Sequence, residues 1–126
     1  METHFEKIEE SIAMAAMYIA NHSSVKAIIA LTESGMTPLL MSRISSGIPI
    51  YALTGQKETA RRVTLYRGVY PIDFEIRYKD DATVMIEAIE LLKKKGLIAS
   101  GDQILITSGS TFTTGGTNNI KMVKVD

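Results

Sequence analysis

Three hydroxyls and a glycine fall within the six residues Thr32-Glu33-Ser34-Gly35-Met36-Thr37. The hydroxyls of Thr32, Ser34 and Thr37 can bond an oxyanion, and Gly35 lets the backbone approach it closely. The apolar run KAIIAL (26–31) precedes this loop and MTPLLMSRI (36–44) follows it, a strand and then a helix by their patterns. In α/β sheets, ligands lie beyond the carboxyl ends of the strands. A helix start adds free N–H groups and a partial positive charge. The loop therefore fits a cradle for one phosphate group. It fits equally a plain helix cap, in which Ser34 or Thr32 satisfies the helix end.

A second polar segment, Ser108-Gly109-Ser110-Thr111-Phe112-Thr113-Thr114-Gly115-Gly116, joins the last two expected strands. It is long for a hairpin, and long loops in small domains are either functional or loose connections. If the strand at Gln103 lies beside the strand at Lys26, both loops open at one sheet edge and can close over one ligand.

The remaining candidates read more simply as structure. Lys93-Lys94-Lys95 ends a helix, where positive charge suits the dipole. Arg61, Arg62 and Arg67 read as a surface or interface face. His4 and His22 lie far from both loops and make no credible general base. Asp80-Asp81 looks like a helix cap, and no acidic cluster has metal-ligand spacing. Met14, Met17, Met36, Met41, Met85 and Met122 fall mostly at core spacing. There is no cysteine, hence no thiol nucleophile, thiolate metal site or disulfide. With no catalytic residues expected, a binding or regulatory domain fits better than a free-standing small enzyme.

The elements that must position the loops follow from periodicity. Residues 5–22 carry helix spacing at Ile8, Ile12, Ala15, Ala16, Ile19 and Ala20. Strands are expected at 26–31, 49–53, 68–72 and 103–107, and helices at 36–44, 57–66 and 80–95. On the last helix Val84, Ile86, Ala88, Ile89, Leu91 and Leu92 are the apolar positions, with Gly96 closing it. The alternation NIKMVKV (119–125) predicts an antiparallel edge strand. The fold class is thus α/β, a three-layer α/β/α sandwich whose mostly parallel five-stranded sheet has an antiparallel C-terminal edge strand.

The bulk numbers agree with one domain over residues 1–126. Apolar residues make up 45% and charged residues 22%. The 14 basic and 14 acidic residues balance, which predicts no general attraction to nucleic acid or an anionic membrane. No apolar run approaches the roughly 18 residues of a membrane span. The start, METHFEK, is polar and does not read as a signal peptide. A cytoplasmic location is expected.

Five segments in order, SIAMAAMYIAN (11–21), AIIALTESGMTPLLMSRISSGIPIYALT (27–54), TARRVTLYRGVYPI (59–72), KKGLIASGDQILITSG (94–109) and GGTNNIKMVKV (115–125), resemble the C-terminal domain of bacterial pyruvate kinases. The resemblance implies a domain that follows a catalytic (β/α)₈ barrel and its lid. That barrel transfers phosphate from phosphoenolpyruvate to ADP with magnesium and potassium. Barrel and lid are absent from these 126 residues, so no catalytic residue, cofactor or metal is expected in the chain, and none of the activity.

In allosteric members of that family, the domain binds a phosphorylated effector. The resemblance carries the phosphate loop onto Thr32, Ser34, Gly35, Met36 and Thr37, and the closing loop onto Gly109, Ser110, Thr111, Thr114, Gly115 and Gly116. Glu33 stands where a second phosphate would favour a base, Met36 stands where Arg or Lys is frequent, and STFTTGG lacks the Trp and Arg of some bisphosphate binders. A sugar or nucleoside monophosphate, such as ribose 5-phosphate or AMP, is therefore expected rather than fructose 1,6-bisphosphate. The resemblance also implies a homotetramer joined through these domains, with contacts near Met41–Ser45 and Ile120–Val125. A purely structural tetramerisation domain without effector is the alternative.

Overall fold

The computed structural model describes residues 4–44, 47–75, 80–109 and 117–126. Its elements are α1 (His4–His22), β1 (Ala27–Leu31), α2 (Met36–Ser42), β2 (Ile50–Thr54), α3 (Lys57–Val63), β3 (Val69–Asp73), α4 (Asp81–Lys94), β4 (Gln103–Ser108) and β5 (Asn119–Lys124). This is the order expected from the sequence.

The strands form one sheet in the order β3-β2-β1-β4-β5. All neighbours run parallel except β5, which pairs antiparallel with β4. Every residue of β1 is buried, as a central strand covered on both faces requires. On one face, Ile28, Ala30, Ile50, Ala52 and Leu105 pack against Ala13, Ala16, Met17 and Ala20 of α1, Met41 of α2 and Val63 of α3. On the other, Ile29, Leu53, Ile104 and Ile106 pack against Val84, Ala88 and Leu92 of α4. The division follows from handedness. From β1 the chain steps outward to β2 and β3, then returns past β1 to β4, and right-handed crossovers put the outward and returning helices on opposite faces.

The small residues on α1 recur at three- and four-residue spacing, which brings that helix close to the sheet. Asp80 caps α4 by accepting from the Thr83 amide at 2.7 Å, and this bond holds its carboxyl below its ordinary pKa. Gly96 ends α4 at φ 76°, with the Leu97 amide bonded to the Leu92 carbonyl.

Tyr51 and Tyr70 stand opposite each other on β2 and β3, their rings 5.9 Å apart. Burial, and then the neighbouring Tyr70, raise the Tyr51 pKa above its ordinary value.

Three details differ from the sequence reading. Ile86 is 59% exposed, because α4 turns Val84, Ala88 and Leu92 to the sheet, with Met85, Ile89 and Leu91 partly buried beside them. Of the methionines expected at core spacing, Met17 and Met41 are buried, but Met14, Met36 and Met122 are exposed. Met41 is fully enclosed, so its side chain is not available to a neighbouring subunit, while Ser45 lies outside the described residues.

Candidate functional site

Because β4 pairs directly with β1, the loop after β1 and the start of the loop after β4 share one sheet edge. At this junction the chain leaves β1 toward β2 on one side and β4 toward β5 on the other, the switch-point geometry at which such sheets take ligands.

Within the first loop, Thr32 is buried and its Oγ1 accepts from the Gly35 amide at 2.9 Å. Gly35 adopts φ 81°, the left-handed conformation that glycine takes without penalty. The exposed Ser34 accepts from the Met36 amide through Oγ at 3.2 Å. The first intrahelical bond of α2 runs from the Leu39 amide to the Gly35 carbonyl. Pro38 has no N–H, so the Thr37 amide is the first-turn donor engaged by neither loop hydroxyl.

Two residues of α3 hold the loop from behind. Thr59 donates its hydroxyl to the Glu33 carbonyl at 2.5 Å, and Arg62 donates to the Ser34 carbonyl at 3.0 Å. In a trans peptide the N–H points opposite to the C=O. Anchoring the two carbonyls on α3 therefore turns the Ser34 and Gly35 amides away from α3. The guanidinium of Arg62 also sets a positive charge at the loop.

Thr37 is fully buried and donates its hydroxyl to the carboxylate of Glu9 on α1 at 3.2 Å. Glu33 and Met36 are exposed. Gly109 begins the second loop at half-buried depth, while Ser110, Thr111, Thr114, Gly115 and Gly116 lie outside the described residues. At the root of that loop Thr107 is fully buried, with no hydrogen-bond partner for Oγ1 among the described residues. It lies beside Ala30 of β1, one pleat on from Leu105, and so on the α1 face of the sheet.

The sequence reading brought the loop residues together but missed Glu9, Thr59, Arg62 and Thr107. Thr59 and Arg62 share a face at i and i+3, a local signal, yet nothing in the chain states that α3 abuts a loop 26 to 28 residues earlier. An open depression of about 610 Å³ lies at the opposite, amino-terminal edge, lined by Lys26, Asp102, Gln103 and Lys124 among others. It lies away from the carboxyl ends of the parallel strands, where such sheets take ligands, so the β1 loop remains the better candidate site.

Among the described residues no group of three or more His, Cys, Asp or Glu is placed to hold a metal ion, and no helix is long and apolar enough to cross a membrane.

Residues 10–123 match the family described as pyruvate kinase, alpha/beta domain. The chain is 44% identical to pyruvate kinase II of Salmonella typhimurium across 100% of its own length and 26% of that protein. It is 49% identical to a pyruvate kinase of Haemophilus influenzae over 90% of this chain and 24% of the relative. A pyruvate kinase of Thermoplasma acidophilum is 33% identical over 94% of this chain and 22% of its own length. The chain thus spans 26% or less of these curated relatives. With the loop, the sheet order and the matched span in agreement, this chain belongs to the pyruvate kinase family, as its C-terminal α/β domain.

Proposed function

We propose that the chain is the effector-binding and oligomerisation domain of a pyruvate kinase, taking a phosphorylated small molecule at the loop 32–37. The reading rests on one observation above the others: α3 ties back the Glu33 and Ser34 carbonyls. The loop is thereby set in shape before a ligand arrives, which lowers the entropic cost of binding. Thr32, Ser34, Gly35, Met36 and Thr37 form the phosphate cradle. Gly109 with residues 110–116 of the second loop supplies the rest of the site.

The ligand is a sugar or nucleoside monophosphate. Glu33 is exposed on the loop, so its carboxylate would repel a second phosphate. A thermal-shift series with ribose 5-phosphate, AMP and fructose 1,6-bisphosphate tests this. At a hundredfold excess over Kd, a monophosphate is expected to stabilise the fold by roughly 2.7 kcal/mol. Ser34→Ala combined with Thr37→Ala is expected to remove the shift. A larger response to the bisphosphate, or none to any monophosphate, would refute the assignment.

Phosphoryl transfer from phosphoenolpyruvate to ADP, with its magnesium and potassium, belongs to the barrel of the longer polypeptide. The chain by itself is expected to form no pyruvate from phosphoenolpyruvate and ADP in a coupled lactate dehydrogenase assay. Measurable turnover above a buffer blank would overturn that division of labour.

A structural role without effector is the second reading. It is favoured by the exposed stripe Met14, Tyr18 and His22 on α1, where the Tyr18 and His22 rings stack at 4.2 Å. The sheet edge at β5, with Met122 exposed, offers a second contact surface. Homotetramer assembly in the cytoplasm fits both readings.

A further inference from the structure

Thr37 has a single hydroxyl proton, and it is committed to Glu9. The side chain carrying it is fully buried, beneath the loop to which the phosphate has been assigned. Glu9 sits on α1, 28 residues before Thr37, and belongs to neither loop. A phosphate oxygen accepting from Thr37 would lie within about 3 Å of that hydroxyl. It would then face the Glu9 carboxylate across a few ångströms of partly buried space, where like charges repel strongly. The two anions cannot share the proton.

We propose that Glu9 is a built-in competitor of the effector. Its carboxylate holds the Thr37 hydroxyl in the ligand-free domain, and phosphate takes that hydroxyl only as Glu9 withdraws. This rests on the reading of loop 32–37 as a phosphate cradle and gives it a second function. Occupancy of the cradle is coupled to α1, because the group that must move belongs to that helix. The coupling runs both ways, so whatever shifts α1 also changes phosphate affinity.

The test is an amide NMR titration of the whole chain with inorganic phosphate, for the wild type, Glu9→Gln, Glu9→Ala and Thr37→Val. Glu9→Gln keeps an acceptor for Thr37 but removes the charge, whereas Glu9→Ala removes both. Dispersed spectra identify the variants that fold. Each Glu9 variant is expected to bind phosphate at least about fivefold more tightly than the wild type, the water-screened limit for one like charge about 4 Å away. In the wild type, phosphate is expected to shift the amides of residues 33–37 together with those of α1 around Glu9. The α1 response should vanish in Glu9→Ala. Thr37→Val is expected to lose the tight binding, and binding seen only in the Glu9 variants would equally support the competition. If phosphate moves the loop amides but leaves α1 still, and the Glu9 variants bind as the wild type or more weakly, the competitor role is overturned while the cradle stands. If no loop amide moves in any of these proteins, the cradle and the competition fall together.

Discussion

Gly35→Ala is expected to destabilise the domain by about 2–4 kcal/mol and to abolish the phosphate binding proposed for the loop. Two costs add. An L-residue held at φ 81° pays the left-handed penalty of about 1–2 kcal/mol. The new Cβ would also lie 3.2 Å from Cγ2 of Thr59 and 3.2 Å from Cγ1 of Val63. Val63 is a fully buried core residue, and Thr59 is the side chain that anchors the Glu33 carbonyl. Relief of the clash must therefore displace either the core or the loop. Gly68→Ala is the matched control, since Gly68 has φ +74° but nothing within 4 Å of the added methyl. Its cost should stop at the backbone penalty. Urea unfolding of the two variants measures the difference, and equal losses would show that Gly35 is not packed against α3.

The second large effect concerns β1. Ile28→Ala and Ile29→Ala are each expected to cost about 2–5 kcal/mol, because a buried methyl-rich side chain is removed and the cavity closes only partly. The two point to opposite faces, Ile28 toward the α1 side and Ile29 toward α4, and both are fully buried. Ile86→Ala, on the exposed flank of α4, should change stability by less than about 0.5 kcal/mol. Denaturant titrations with unchanged m-values provide the comparison. A small effect for one β1 isoleucine and a large one for the other would mean that one face of the sheet is open.

These predictions also mark what could be read from the chain. KAIIAL is apolar without alternation and short for a helix, which fits a strand covered on both sides. β1 was legible for that reason. The Gly96 helix end and the antiparallel edge at NIKMVK were legible from local chemistry too. Ile86 was not, because helical periodicity marks an apolar arc without saying how wide the sheet beneath it is. Among the described residues α4 is the one helix on its face, and the residue at the rim of its arc is left in solvent.

The site divides along the same line. Thr32, Ser34 and Gly35 bond within their own loop, so their arrangement follows from sequence spacing. Glu9, Thr59 and Arg62 act on the loop across 26 to 28 residues. Their roles depend on α1 and α3 packing on the same face of the sheet as α2, a property of the completed topology.

The facing tyrosines of β2 and β3 have an optical consequence. The chain has no tryptophan and five tyrosines, so its native ultraviolet emission comes from phenol rings alone. Tyr51 and Tyr70 lie close enough to exchange excitation energy, and they straddle the junction of the outermost parallel strand. Loosening of β3 would separate the rings and depolarise less of the emitted light. With its other three tyrosines replaced by phenylalanine, the domain would carry an intrinsic, label-free gauge of its sheet edge, on the side of β1 away from the β4 loop.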